Sequence, residues 1–133
     1  MADPFLSPVS ERMARGLAIV ESSVSLQEAA RRMVERRVGS VLVFAGERLC
    51  GILTERDVLK AVAQGAVAAP VEEWMTRDPE TIEPSETLEH AAVLMLHGGF
   101  RHLPVADGER VVGILSMRDL VGLAVADQAP RGV

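Results

Sequence analysis

At 133 residues the chain is long enough for one compact domain, or for two halves that share a core. A formal net charge of −5 with scattered basic residues argues against a nucleic-acid footprint, and no apolar run approaches the ~20 residues of a membrane span. The lone cysteine, Cys50, excludes an intrachain disulfide and fits a reducing compartment; without a basic-then-apolar leader, a cytoplasmic location is expected.

In chain order, residues 1–7 read as a short leader. Ser7 and Pro8 read as an N-cap and first helical residue, opening a short helix to about Arg15 that stops at Gly16. Leu17–Val20 is a brief extended segment. Ser25 and Glu28 form a capping box for a helix whose Leu26, Ala29, Ala30, Met33 and Val34 follow the helical period. Arg31, Arg32, Arg36 and Arg37 fall on its solvated face. Val41–Phe44 is an apolar strand, Ala45–Glu47 a turn, and Arg48–Leu53 a returning strand with Cys50 as a small buried hydrophobe. A further helix opens at Thr54 and ends near Ala63, before Gly65.

The same account holds again 62 residues later without a gap. Pairing Pro8 with Pro70 through Leu59 with Val121 gives 52 pairs, of which twenty are identical. Among them are Met13/Met75, Leu26/Leu88, Ala29/Ala91, Met33/Met95 and Val43/Val105. Gapless self-similarity on this scale means duplication. Each copy is expected to be one βαββα unit preceded by a short helix, the whole being α/β (α+β) in class. The chain-order division is residues 1–66, residues 67–126, and a frayed tail at 127–133 that begins to loosen from Ala124. Trp74 and Met75, at the junction, are expected to pack between the repeats, and Gly98 and Gly99 to end the helix that begins near Thr87.

The stretch with the most chemistry also occurs twice, as GILTERD at Gly51–Asp57 and GILSMRD at Gly113–Asp119. In each, a strand runs straight into a helix. Thr54 or Ser116 stands at the N-cap, and Asp57 or Asp119 three residues on is the acidic half of a capping box. Arg56 and Arg118 lie in the first turn, where the dipole disfavours a cation; an anionic ligand or a neighbouring glutamate would account for them. Helix amides, a hydroxyl, a carboxylate and a guanidinium together suit a sugar bearing a phosphate.

These junctions, with FRHLPV at Phe100–Val105 and VGSVLVF at Val38–Phe44, resemble the CBS domain family, and the chain looks like a stand-alone tandem CBS pair, a Bateman module. The resemblance implies duplicated CBS units packed with pseudo-twofold symmetry. It also implies clefts between the repeats that take AMP, ADP, ATP or S-adenosylmethionine, and a disc-like homodimer. By position, Asp119 and Asp57 match the carboxylates that hold the ribose hydroxyls, and Ser116 and Thr54 the hydroxyls at the helix start. Thr81 and Ile82, like Ile19 and Val20, match first-strand positions lining the base. Arg101, His102, Leu103 and Pro104 match the stretch bordering the nucleotide. The first copy departs there: Gly39, Ser40, Val41 and Leu42 replace them and remove cationic groups, which ranks the second site above the first.

Each of these residues also has a plainer reading. Asp57 and Asp119 serve equally as capping acids, and His102 fits either a phosphate contact or a solvent-facing strand histidine. His90 and His97 stand seven apart on one helix with no third metal ligand at suitable spacing, so no metal site is expected. No nucleophile elbow or metal cluster is present, so catalysis is not expected and no cofactor is required. The reading is a regulatory module that senses an adenine nucleotide and reports to an effector protein. The alternative is a structural dimerisation module with empty clefts.

Overall fold

The computed structural model of the protein describes residues 3–125, and in it each copy is built on an antiparallel hairpin with one irregularity. In the first hairpin, β2 (Ser40–Ala45) pairs with β3 (Arg48–Thr54), and the register shifts between Val43 and Phe44. In the second, β5 (His102–Asp107) pairs with β6 (Arg110–Ser116), and the register shifts between Val105 and Ala106, the matching place 62 residues on. A bulge adds one residue to one strand and raises the local twist. Gly46 and Gly108, with φ of 63° and 64°, supply the left-handed residue of the two turns.

The elements in chain order are β1 (Ile19–Glu21), α1 (Leu26–Arg36), β2, β3, α2 (Glu55–Ala63), β4 (Thr76–Arg77), α3 (Leu88–Gly98), β5, β6 and α4 (Met117–Val125). They form two compact units, each with its own core, in a mixed α/β architecture. The first unit spans Gly16–Pro79; the second joins the residues up to Arg15 to those from Glu80 onward. Each unit thus takes the leading segment of the other repeat in place of its own.

The cause is where the two leading segments find partners. In the second unit Val9 donates its backbone N–H to Glu86 at 2.7 Å, Leu88 donates to Ser7 at 3.0 Å, and Ala14 exchanges two bonds with Ile114. In the first unit Val71 donates to Val24 at 2.8 Å, Leu26 donates to Ala69 at 2.9 Å, and β4 pairs with Gly51 and Ile52 of β3. Each leading segment thus completes the sheet of the unit formed by the other copy's helices. These segments are short 3-10 turns, Pro4–Leu6, Val9–Glu11 and Val71–Glu73, rather than the helix expected over Pro8–Arg15. Pro8 itself stands at the cap, and backbone groups that a longer helix would consume are bonded to the neighbouring strand and loop instead.

The cores use matching positions. Val20, Leu26, Ala29, Met33, Val41, Val43, Leu53 and Val71 fill the first; Ile82, Leu88, Ala91, Met95, Leu103, Val105, Leu115 and Val9 fill the second. Each buried Val, Leu, Ile or Met side chain contributes roughly 1.5–3 kcal/mol relative to exposure, and each alanine less. Trp74 and Met75 pack against the first core. Val34, expected on the apolar face of α1, is instead 78% exposed, because Leu26, Ala29 and Met33 already span the buried stripe. Ala124 and Val125, expected to fray, complete α4; the tail at 127–133 lies outside the described residues.

The first strand differs between units. β1 forms three parallel pairs with β2, whereas Ile82 makes a single bridge to Val105. Ser22 donates its N–H to Phe44 at 2.9 Å, and the matching residue, Pro84, has no N–H to donate. Cys50 is half-buried; its Sγ donates to the Val43 carbonyl at 3.3 Å, and desolvation pushes the thiol pKa up, leaving a poor nucleophile.

Candidate ligand-binding site

Each unit ends its hairpin in the same strand-to-helix junction. In the second unit the Asp119 carboxylate, through Oδ2, accepts from Ser116 N–H at 2.9 Å and from Ser116 Oγ at 3.1 Å. Ser116 Oγ in turn accepts from Asp119 N–H at 3.4 Å. In the first unit Asp57 Oδ2 accepts from Thr54 N–H at 2.9 Å and Oγ1 at 3.0 Å, and Thr54 Oγ1 accepts from Asp57 N–H at 3.3 Å. Both capping boxes read from the sequence are therefore formed. The third box, at Ser25, is half made: Ser25 accepts from Glu28 N–H at 3.1 Å, while the Glu28 carboxylate turns to Arg31 at 3.2 Å.

Capping occupies only one oxygen of each carboxylate. Oδ1 of Asp57 and Oδ1 of Asp119 have no hydrogen-bond partner among the described residues. A carboxylate offers about four acceptor sites, so each retains capacity for two hydroxyl donors. The same aspartate can cap its helix and hold a diol.

The helix start is less open than the motif suggests. The first amide of α4, Met117 N–H, donates to the Arg101 carbonyl at 2.8 Å, and the first amide of α2, Glu55 N–H, donates to Gly39 at 3.1 Å. The third amide is taken by the cap hydroxyl. That leaves Arg56 N–H and Arg118 N–H without an acceptor among the described residues, so an anion meets one free amide in the first turn rather than several. Arg56 and Arg118 are exposed and make no ion pair among the described residues, so a neighbouring glutamate does not account for either.

The bond from Met117 to Arg101 ties the β5 end to the helix start, and His102 lies in register with Ser116. Arg101, His102, Ser116, Arg118 and Asp119 are thus brought to one end of one hairpin, and Ser40, Thr54, Arg56 and Asp57 to the corresponding end of the other. Ile82 N–H donates to the Pro104 carbonyl at 3.1 Å, and Ile82 accepts from Ala106 N–H at 2.9 Å, so its backbone is committed to the sheet. Val20, Ile82 and Leu103 put their side chains into the cores and can border a ligand only indirectly; Thr81 and Ile19 are exposed, Pro104 and Ser40 buried. The residue that the sequence reading passed over is the first of each helix, Glu55 against Met117. The signal was present in the two heptads, which differ there in charge.

Among the described residues no three His, Cys, Asp or Glu side chains gather to hold a metal ion, and no helix is long and apolar enough to cross a membrane.

Comparison with known proteins agrees with this architecture. The CBS domain profile matches twice, over residues 9–64 and 71–126. The chain is 36% identical over 117 residues to the CBS domain-containing protein YhcV of Bacillus subtilis, covering 86% of this chain and 84% of that one. Among solved structures, the CBS domain pair of protein MJ0100 in complex with 5′-methylthioadenosine and S-adenosyl-L-methionine is similar at a TM-score of 0.85 and 28% identity, covering 92% of this chain and 98% of that one. The CBS domain protein PAE2072 from Pyrobaculum aerophilum, complexed with AMP, is similar at a TM-score of 0.80 and 28% identity, covering 89% and 98%. With two profile matches spanning most of its length and a fold shared with such pairs, the chain belongs to the CBS domain family.

Proposed function

We propose that the protein is a regulatory module that binds adenosine-containing ligands, one site per unit, and reports occupancy to an effector protein. The observation that carries this reading is the divided use of the Asp119 carboxylate: Oδ2 caps α4, and Oδ1 is left for a ribose diol. Arg118 and Arg101 stand at the same hairpin end without ion-pair partners among the described residues, ready for a phosphate. The complexes of MJ0100 with methylthioadenosine and S-adenosylmethionine, and of PAE2072 with AMP, support an adenosyl ligand by analogy. In this reading Thr81 borders the base, and Ser116, Arg118 and Asp119 hold ribose and phosphate; in the first unit Ile19 borders the base, and Thr54, Arg56 and Asp57 stand around the ribose.

We also propose a homodimer. Leu59 and Val121 occupy matching positions of α2 and α4, Val34 and Leu96 matching positions of α1 and α3, and all four are more than half exposed. A repeated apolar residue on the outer surface of each helix favours burial against a second copy.

The test of ligand binding is thermal stability with AMP, ADP, ATP or S-adenosylmethionine added. At 100 times its dissociation constant a ligand stabilises the native state by about 2.7 kcal/mol. A rise with at least one of these, and none with 2′-deoxy-AMP at the same concentration, is expected. No rise with any would leave the empty dimerisation module as the better account.

A further inference from the structure

The helices of the two units differ on their exposed sides in one consistent way. On α1 the exposed side carries Gln27, Arg31, Val34 and Glu35, with Arg37 at the cap. Arg32 and Arg36 turn instead to the carbonyls of Ile19 and Gly16. The matching places on α3 hold Glu89, Val93, Leu96 and His97, with Gly99 at the cap. On α2 Lys60 is exposed next to Leu59, and α4 has Gly122 next to Val121. At three places, then, the first unit presents a long cation where the second presents valine or glycine. A Cβ added at Gly99 or Gly122 would meet nothing within 4 Å, so both glycines lie on open surface.

Charge divides the same way. α3 contains no lysine or arginine, and Glu89 makes no ion pair among the described residues. Arg37 and Lys60 make none there either. Arg31 meets Glu28 at 3.2 Å, an exposed contact through one of its several donors. Two copies related by a twofold axis can cover these faces in two ways. In matched pairing α1 packs on the partner's α1, and α3 on the partner's α3. The cations around Val34 then face their own copies, and like charges set against each other across an interface are unfavourable. In crossed pairing α1 packs on the partner's α3, and the axis makes that contact twice.

Resting on the homodimer reading above, we infer that the pairing is crossed, the first unit of each copy seated on the second unit of the other. The stems of Arg31 and Arg37 then cover the partner's Val93 and Leu96, and their charged ends lie toward the partner's Glu89. Lys60 extends over the open surface at the partner's Gly122. Exposed charges of this kind add little affinity, but they select between two arrangements that bury similar apolar residues.

The experiment is thiol cross-linking of the whole protein with a short bismaleimide, on a Cys50→Ala background that removes the native thiol. Three variants are compared: Val34→Cys, Leu96→Cys, and the two together. Both positions are exposed and outside the cores, and folding is checked by circular dichroism. Light scattering of the same background gives the oligomeric state. The expected result is a dimer in which neither single variant is cross-linked and the double variant is converted to covalent dimer. Cross-linking of either single variant to itself would overturn the crossed pairing and leave the homodimer standing. A dimer whose double variant resists cross-linking would overturn it as well, by putting α1 and α3 outside the interface. A monomer would overturn the homodimer reading and the pairing with it.

Discussion

Thr54 and Asp57 hold each other through three hydrogen bonds of 2.9, 3.0 and 3.3 Å, and the two that reach the carboxylate end on a single oxygen, Oδ2. Ser116 and Asp119 repeat the arrangement. Equal geometry implies equal structural cost. Asp57→Ala and Asp119→Ala are each expected to destabilise the ligand-free protein by about 1 kcal/mol. In a chain of this size that lowers Tm by roughly 3–5 °C. Thermal melts of the two variants check this, and costs differing by more than twofold would show that the two boxes are not energetically equivalent.

Gly51 and Gly113 open the two heptads for a reason of packing. A Cβ on Gly51 would stand 2.8 Å from Met75 Cγ and 3.0 Å from the Thr76 carbonyl; one on Gly113 would meet Met13 Cγ at 2.8 Å and the Ala14 carbonyl at 2.9 Å. The methionines can swing away, but the carbonyls belong to leading segments fixed to the sheet. Gly51→Ala and Gly113→Ala are each expected to cost about 1–3 kcal/mol, read as a lower midpoint in urea denaturation.

Arg37 ends α1 with φ of 54°, a left-handed conformation, and at the matching end of α3 stands Gly99 with φ of 71°. A side chain there costs roughly 1 kcal/mol relative to glycine. Arg37→Gly is therefore expected to leave stability unchanged or raise it by up to ~1 kcal/mol, since the same change also loosens the unfolded chain. A fall of more than ~1 kcal/mol would show that the arginine makes a stabilising contact beyond its backbone strain.

The exposed pair Leu59 and Val121 gives a test of assembly. Light scattering is expected to find a dimer for the wild type at micromolar concentration, and a monomer for the double variant Leu59→Glu, Val121→Glu. Because neither side chain is in a core, the variant is expected to keep its secondary structure by circular dichroism. A wild-type monomer would remove the proposed interface.

Much of this architecture is readable from local chemistry. The N-caps at Ser25, Thr54 and Thr87, the glycine turns at Gly46 and Gly108, and the alternation of the hairpins are determined within a few residues, so they stand where the pattern puts them. The pairing of Pro8 with Thr87 and of Ala14 with Ile114 is not local, and no spacing rule encodes it. The exposure of Val34 was hidden for a related reason: helical period marks a stripe, but its width is set by what packs on it. At the junctions the capping bonds were legible. The capture of the first amides by Arg101 and Gly39 was not, because it needs the hairpin register.

The central claim is that Asp119 holds ligand as well as capping α4, and one measurement separates the two roles. Wild type and Asp119→Ala are titrated with AMP by calorimetry under conditions where both are folded. Removing the carboxylate takes a charge-assisted acceptor from the ribose hydroxyls, at about 1.5–3 kcal/mol. Affinity is then expected to fall roughly tenfold to more than a hundredfold. An Asp119→Ala protein that melts lower than wild type yet binds AMP with wild-type affinity would make Asp119 a helix cap alone and contradict the account.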